Sequence, residues 1–235
     1  MGVLLGIWLL AAAALAQDIT VSGRVVLTSS EGHSRTGHNE DVVVWLVPLG
    51  EPVSAPSPDR NAPRPRLVQK NKSFSPHLLL VPVGSMVEFP NRDPFFHNVF
   101  SLYEGKRFDL GLYEAGTSRD VLFDKPGVSY IFCNIHAEMS AVVIALPTPY
   151  YAVSNARGEL VLPHVPAGRY MLRIWYEQAL PEELNSMVRQ IMVSESNSSL
   201  GVLRLATTTL SASHKNKYGR DYDPPAPDNP AYEHP

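Results

Sequence analysis

The chain has 235 residues, of which 44% are hydrophobic, so it can bury the core of one large domain or two small ones. This composition excludes a chain that is disordered throughout. The formal net charge is -3 at pH 7, and the Lys and Arg residues are scattered rather than clustered. We therefore expect no nucleic-acid partner.

Residues 1–16 have the features of a secretory signal peptide. Their apolar stretch ends in Ala14-Leu15-Ala16, a small-x-small pattern that is typical of a cleavage site. The stretch is shorter than the ~20 apolar residues that a membrane span requires, although no Lys or Arg precedes it. The sequence predicts an exported protein, periplasmic or extracellular, with no stable membrane span after cleavage.

After this segment, short apolar runs are interrupted about every ten residues by Gly, Pro, Asn and Asp, which is the pattern of an all-β fold. Residues 17–50 contain two strand-like runs. Residues 51–66 are crowded with proline, which cannot occupy a central strand, and this predicts a linker. Residues 67–147 follow as a unit of about the size of a minimal β-sandwich.

The chain changes pattern again after Pro147. Residues 148–208 contain another predicted hairpin and a short helix candidate at 180–184, where a proline and two acids occupy the first turn. Residues 209–235 are rich in proline and poor in aliphatic side chains, so we expect a disordered tail there.

One loop of the 67–147 unit gathers side chains that suit a soft metal ion. Cys133, His136 and Met139 have the spacing C-x2-H-x2-M, directly after one predicted strand and before another. An electron-transfer copper site uses one Cys, two His and a weak axial Met. His97, at the start of an earlier strand, supplies the second imidazole. The sequence therefore predicts one type 1 copper ion, held by His97, Cys133, His136 and Met139.

The other candidate ligands are weaker. A lone cysteine is more often an inert buried residue, but Cys133 is the only cysteine of a chain predicted to be exported and has three partners of the right types. His33 and His38 lie in a polar loop, where histidines often have no ligand function. Glu138 could in principle coordinate, but we expect it to face solvent.

Five short segments around the ligands follow one another in an order found in one family: 74–76, 84–89, 97–99, 126–127 and 130–133. They resemble the cupredoxins, the plastocyanin- and amicyanin-like blue copper proteins, over about residues 72–146. The resemblance implies a Greek-key sandwich, with His136 as the electron port in an apolar patch where redox partner proteins dock. It also implies that Asn98 ties the two ligand loops together and that its backbone N–H donates to the thiolate.

The ligand loop differs from that of amicyanin on both sides of His136, where Ile135 and Ala137 stand in place of prolines. Unlike proline, Ile135 keeps a backbone N–H. We hypothesise that this N–H gives the Cys133 sulfur a second hydrogen bond, which draws electron density off the thiolate and raises the reduction potential.

Two pairs of segments, 21–25 with 42–47 and 156–160 with 165–170, lie on either side of the predicted copper-binding unit. They resemble the two halves of a transthyretin-like or carboxypeptidase-regulatory-like β-sandwich. This resemblance implies a second small sandwich into which the cupredoxin-like unit is inserted. In the rival arrangement, residues 19–47 complete the copper-binding sheet and a separate hairpin domain follows.

These inferences predict a carrier of single electrons and not an enzyme, since the sequence offers no convincing His cluster for an open metal position. Two alternatives remain, a copper chaperone or storage protein and a structural sandwich with a vestigial copper site. Intense blue colour with reversible voltammetry would favour the carrier, and weak colour with rapid metal transfer the chaperone. Absence of copper uptake would favour the structural role.

Overall fold

The computed structural model describes residues 18–28, 39–50, 63–102, 104–208 and 214–222. The predicted signal peptide, most of the predicted linker, and His33 and His38 lie outside the described residues.

Nearly all regular structure in the described residues is β, which confirms the predicted fold class. The strands of the first half are β1 Asp18–Thr28, β2 Val43–Pro48, β3 Val68–Lys70, β4 Ser73–Ser75, β5 Leu78–Pro82, β6 Ser85–Pro90, β7 His97–Ser101 and β8 Phe108–Tyr113. The elements of the second half are β9 Ser118–Phe123, β10 Gly127–Cys133, β11 Ser140–Leu146, β12 Tyr151–Val153, β13 Glu159–Pro166, β14 Gly168–Trp175, α1 Pro181–Ser186, β15 Arg189–Val193 and β16 Ser199–Ala206.

The central part of the chain forms a β-sandwich. One sheet has the strand order β5-β11-β10-β7-β8, and β6 and β9 pair in a second sheet. The facing sides of the two sheets share one hydrophobic core, in which Val87 and Phe123 from the small sheet pack with Val99 and Ile131 from the large one. Because side chains alternate along a strand, Cys133 points into this same core, two residues after Ile131.

Strands from both ends of the described chain form a second sandwich. One sheet has the order β13-β1-β16 and the other the order β12-β2-β14-β15. In each sheet a strand that precedes the central sandwich pairs with strands that follow it; for example, Val43 is opposite Trp175. The central unit is therefore inserted into this flanking sandwich. The rival arrangement required residues 43–48 to pair with the strands of the central sandwich, and they do not.

The two sandwiches pack against each other through strand β11. Its residues are buried on both faces of the large central sheet, from Ala141 to Leu146. On the outer face, Val142, Ile144 and Leu146 form a hydrophobic cluster with Val43 and Trp175 of the flanking sandwich. This explains the uninterrupted apolar run of β11, since a strand that is covered on both faces does not alternate.

The helix candidate at 180–184 corresponds to α1, a short helix with a proline in its first turn and two acidic residues, Glu182 and Glu183, near its amino end. Within the part of the chain that the structure describes, no helix is long and apolar enough to cross a membrane.

Within the expected disordered tail, the structure differs from the prediction. Residues 214–222 fold into turns and lie against the central sandwich, where Tyr222 Oη donates a hydrogen bond of 2.6 Å to the carbonyl oxygen of Cys133. Composition predicted disorder because aliphatic side chains are scarce there. The segment is instead held by hydrogen bonds and ring contacts.

Candidate metal centre

Three of the four predicted ligands converge at one end of the central sandwich. His97 is the first residue of β7, Cys133 is the last residue of β10, and His136 lies in the loop that leads to β11. The Sγ atom of Cys133 is 3.6 Å from Nδ1 of His97 and 3.4 Å from Nδ1 of His136. All three side chains are buried.

These distances fit a shared metal ion. Metal–nitrogen and metal–sulfur bonds of about 2.0–2.3 Å place two donors of a trigonal or tetrahedral site about 3.5–3.8 Å apart. The three donor atoms all lie within 4.8 Å of one another. One thiolate and two imidazoles are the soft and borderline donors that select copper in an electron-transfer site, so the residues present fit a copper ion.

Met139 is buried in the same hydrophobic core as Cys133. The loop is closed by two backbone hydrogen bonds, from the N–H of Cys133 to the carbonyl of Met139 and from the N–H of Met139 to the carbonyl of His136, each 3.2 Å long. These bonds bring Met139 back beside Cys133. By contrast, Glu138 is exposed to solvent, as expected from the sequence.

Asn98 ties the two ligand loops together through its backbone. Its carbonyl accepts a 2.8 Å hydrogen bond from the N–H of Asn134, the residue after Cys133. Its side-chain Nδ2 donates to Oδ1 of Asp109 on β8, at 2.7 Å. The structure thus gives Asn98 contacts of the kind that the family resemblance implied.

The environment of the Cys133 sulfur has two opposing effects on its pKa. Burial raises the pKa of the thiol, and hydrogen bonds from the backbone N–H groups of Ile135, Asn98 and His136 partly offset this effect. The effect of the Ile135 N–H on this pKa has the direction that the hypothesis from the sequence expects, and its effect on the reduction potential stays a prediction. Because a metal binds the thiolate, metal binding here releases the thiol proton.

The two histidines are kept neutral, which is the form that binds a metal. Burial lowers the pKa of His97 despite its carboxylate neighbour. Burial, together with the charges of His97 and Lys72, lowers the pKa of His136 to about 4. Neutral imidazoles remain available as ligands at ordinary pH.

Asp93 is a functional residue that the sequence analysis missed. Its buried carboxylate lies 2.8 Å from Nε2 of His97, on the side of the ring opposite the metal-facing Nδ1. A carboxylate in this position fixes the tautomer and the orientation of a ligating histidine. Asp93 is itself held by the backbone N–H groups of Asn71 and Lys72, at 2.5 and 3.0 Å. The sequence could have indicated this pairing, because Asp93 lies only four residues before His97.

Phe95 packs against both imidazoles and was also not assigned from the sequence. Its ring centroid lies 5.4 Å from that of His97 and 5.5 Å from that of His136. It covers the site with an apolar ring, and its neighbour Phe96 is half exposed.

The geometry brings one thiol and two imidazoles of a β-sandwich together as a group that could hold a metal ion. No protein-family profile matches the sequence, and no curated protein matches it.

Solved structures that resemble the chain include a purple cupredoxin from Nitrosopumilus maritimus, with 23% identity over 35% of this chain and 99% of that one and a TM-score of 0.32. A copper-containing nitrite reductase from Thermus scotoductus SA-01 shares 24% identity over 41% of this chain, with a TM-score of 0.35. This chain spans 25% of that protein. A reduced amicyanin variant shares 19% identity over 43% of this chain and 99% of its own, with a TM-score of 0.33. At such low TM-scores the likenesses carry no inference about function.

Proposed function

We propose that this protein is an exported type 1 copper protein that carries single electrons between redox partners. The observation that supports this proposal best is the convergence of the three buried donor atoms of His97, Cys133 and His136. Copper bound there would supply the one-electron couple between Cu(I) and Cu(II). Met139 is the proposed axial ligand, since the loop returns it to Cys133.

The residues around the site favour electron transfer over catalysis. Backbone hydrogen bonds and Asp93 hold the ligand residues through contacts within the protein itself. Ligands held in this way would move little when a bound copper ion changes oxidation state, which suits a carrier. With Met139 in the fourth position, the ligands leave no open place for a substrate, and we therefore propose no enzymatic reaction.

The proposed docking surface surrounds His136. This imidazole is nearly buried, but Phe96 and Ile135 beside the ligand positions expose 50% and 37% of their surface. An apolar rim of this kind can contact a partner closely and bring its redox group near His136. The partners are thus proposed to be redox proteins that dock on this rim.

The first test is an absorption spectrum recorded while copper is added to the purified protein. We expect an intense visible band from the thiolate-to-copper transition and reversible voltammetry. The variant Cys133→Ser should lose the band completely, because serine provides no thiolate. Glu138→Gln is the matched control, since it changes an exposed residue of the same loop and should leave the band in place.

Other outcomes would contradict the carrier. A weak band with rapid transfer of copper to a chelator would indicate a chaperone or storage protein. Absence of copper uptake by the wild-type protein would indicate a structural sandwich. If Glu138→Gln also abolished the band, the loss in Cys133→Ser would not be specific to the thiolate.

A further inference from the structure

A C-terminal segment, residues 214–222, lies against the back of the proposed copper site; we call it the clasp. It follows the last strand, β16, and so belongs to neither of the two sheets of the central sandwich. Its contacts join residues that are more than 80 positions apart in the chain, such as Lys217 with Asn134 and Tyr222 with Cys133. The predicted tail thus returns to the ligand loop.

The closest contact of the clasp is with the ligand residue Cys133. Tyr222 Oη donates a 2.6 Å hydrogen bond to the Cys133 carbonyl. The same hydroxyl lies 3.1 Å from Nδ1 of His214. His214 Nδ1 also lies 3.2 Å from the carbonyl oxygen of Lys215, so a proton on Nδ1 can be donated to either oxygen. The His214 ring stacks on Phe132, with 4.1 Å between the centroids.

This contact fixes one peptide plane of the site from both sides. The carbonyl of Cys133 and the N–H of Asn134 belong to the same planar peptide unit. Tyr222 holds the carbonyl, and the Asn98 carbonyl holds the N–H at 2.8 Å. The peptide plane next to the Cys133 side chain is therefore anchored to Asn98 of strand β7 on one side and to Tyr222 of the clasp on the other.

The clasp reaches the same loops at a second place. The N–H of Lys217 donates to Oδ1 of Asn134 at 2.9 Å, and Nζ of Lys217 is 2.8 Å from Oδ2 of Asp109. The other oxygen of Asp109 accepts from the Asn98 side chain at 2.7 Å. The clasp, Asp109 and Asn98 form one chain of hydrogen bonds that ends next to His97.

The clasp has local structure of its own. Oδ1 of Asn216 accepts the N–H groups of Tyr218 and Arg220, and the N–H of Asn216 donates to the carbonyl of Arg220. These bonds form a closed turn that carries Lys217 and places Tyr222 at its end. Because the turn is closed by its own hydrogen bonds, Lys217 and Tyr222 lose little further conformational entropy when they contact the ligand loop.

We propose that Tyr222 is a positioning residue for the metal centre. Its hydroxyl holds Cys133 in the geometry that a bound copper ion would require. This assignment rests on the proposed copper function. Tyr222 acts through the Cys133 carbonyl and not on the metal. Without the hydrogen bond from Tyr222, the Cys133–Asn134 peptide plane can change its orientation more freely. The thiolate then samples a wider range of positions.

The test compares Tyr222→Phe with Tyr218→Phe, two changes that each remove one hydroxyl from the clasp. Tyr218 is 71% exposed, and its ring, which the substitution keeps, lies 5.3 Å from Nζ of Lys217. Tyr222 and not Tyr218 donates to the Cys133 carbonyl. In the copper-loaded protein we expect Tyr222→Phe to shift the thiolate-to-copper band and the potential. We expect copper to dissociate about 2- to 10-fold faster, which corresponds to the loss of one hydrogen bond. Tyr218→Phe should match the wild type.

Hydrogen exchange in the copper-free protein separates this assignment from the copper function. Faster exchange of the Asn134 and Ile135 amides in Tyr222→Phe supports the positioning role, even if the wild type proves not to be a blue protein. An unchanged band, potential, dissociation rate and amide exchange in Tyr222→Phe would overturn it. So would equal changes in Tyr218→Phe, because the effect would then not depend on the Cys133 contact.

Discussion

At the scale of single residues, the site is determined by what surrounds the Cys133 sulfur. Burial raises the pKa of its thiol, and the backbone N–H groups of Ile135, Asn98 and His136 lower that pKa. Each draws electron density from the thiolate and stabilises the form that carries more negative charge. If copper binds as proposed, the sulfur carries more negative charge with Cu(I) than with Cu(II), so these N–H groups would raise the reduction potential. For the reduction potential, residue 135 therefore matters through its backbone N–H, whereas its side chain belongs to the proposed docking rim.

The variant Ile135→Pro tests this role. Proline has no N–H, so one donor to the sulfur is lost, and we expect the potential to fall by about 20–60 mV, which corresponds to about 0.5–1.5 kcal/mol for a one-electron couple. Ile135→Ala keeps the N–H and is the control. Voltammetry of the copper forms measures both. An unchanged or higher potential in the proline variant would contradict the hypothesis.

Asp93 gives a second prediction at this scale. Asp93→Asn keeps the shape of the side chain but replaces the charged acceptor that faces Nε2 of His97. We expect copper affinity to fall by about 10- to 100-fold, as is usual when the partner of a ligating histidine is changed. Competition with a chelator measures the affinity. Asp120→Asn, at an exposed carboxylate that pairs with Arg64, should have no effect, and equal loss in both variants would count against a specific role for Asp93.

At the scale of elements, the turns of the flanking sandwich depend on particular glycines. Gly158, in the turn before β13, has φ +77°, and its carbonyl accepts a 2.7 Å hydrogen bond from Val25 of β1. A Cβ atom at this position would lie 2.1 Å from the carbonyl oxygen of Val25. Residue 158 must therefore be glycine both for its backbone angle and for the close approach of β1.

The variant Gly158→Ala should destabilise the protein more than Gly201→Ala. Both glycines have positive φ, but Gly201 has no atom within 4 Å of the added Cβ. We expect Gly201→Ala to cost about 1 kcal/mol for the left-handed backbone alone. Gly158→Ala should cost about 3 kcal/mol, because β1 must also move. Urea unfolding measures both, and equal costs would show that the contact with Val25 is unimportant.

At the scale of the whole molecule, the contacts that join the two sandwiches include the apolar cluster, a 3.4 Å hydrogen bond from Trp175 Nε1 to Tyr130 Oη, and His77. His77, just before β5, has Nε2 2.7 Å from the carboxylate of Glu177, which follows β14 in the flanking sandwich. Its Nδ1 is 3.2 Å from the carbonyl of Ser140, the first residue of β11. The side chain therefore links the end of the ligand loop to the flanking sandwich.

This link predicts a dependence of stability on pH. The hydrogen bond to Glu177 raises the pKa of His77 despite partial burial. A raised folded-state pKa means that the stabilisation is fully present below the ordinary value of about 6.5 and is lost as the pH rises through the raised value. Since both groups are largely exposed, the effect should be small, about 0.2–1 kcal/mol.

A double-mutant cycle with His77→Gln and Glu177→Gln isolates this contribution. Urea unfolding of the copper-free proteins at about pH 5.5 and about pH 8.5 brackets the titration. We expect a coupling energy at the lower pH that disappears at the higher one. The opposite sign, or equal coupling at both pH values, would contradict the role of His77.

The sequence by itself determined the all-β class and the types and spacing of the proposed ligands. Short-range sequence patterns indicate both: the alternation of apolar and polar residues along strands, and the C-x2-H-x2-M loop that directly follows one strand. The sequence also indicates that residue 135 keeps a backbone N–H, since it is not a proline. Asp93 was within reach, because it is only four residues from His97.

Only the tertiary structure decided which distant segments meet. The pairing of β2 with β14 joins residues on opposite sides of the inserted sandwich, and no local pattern records the partner of a strand. The clasp is the clearest case, since its composition predicted a disordered tail. Tyr222 and Lys217 reach Cys133 and Asn134 through single hydrogen bonds across more than 80 residues. Such contacts leave no periodic signal in the sequence, because they depend on where the folded chain places each donor and acceptor.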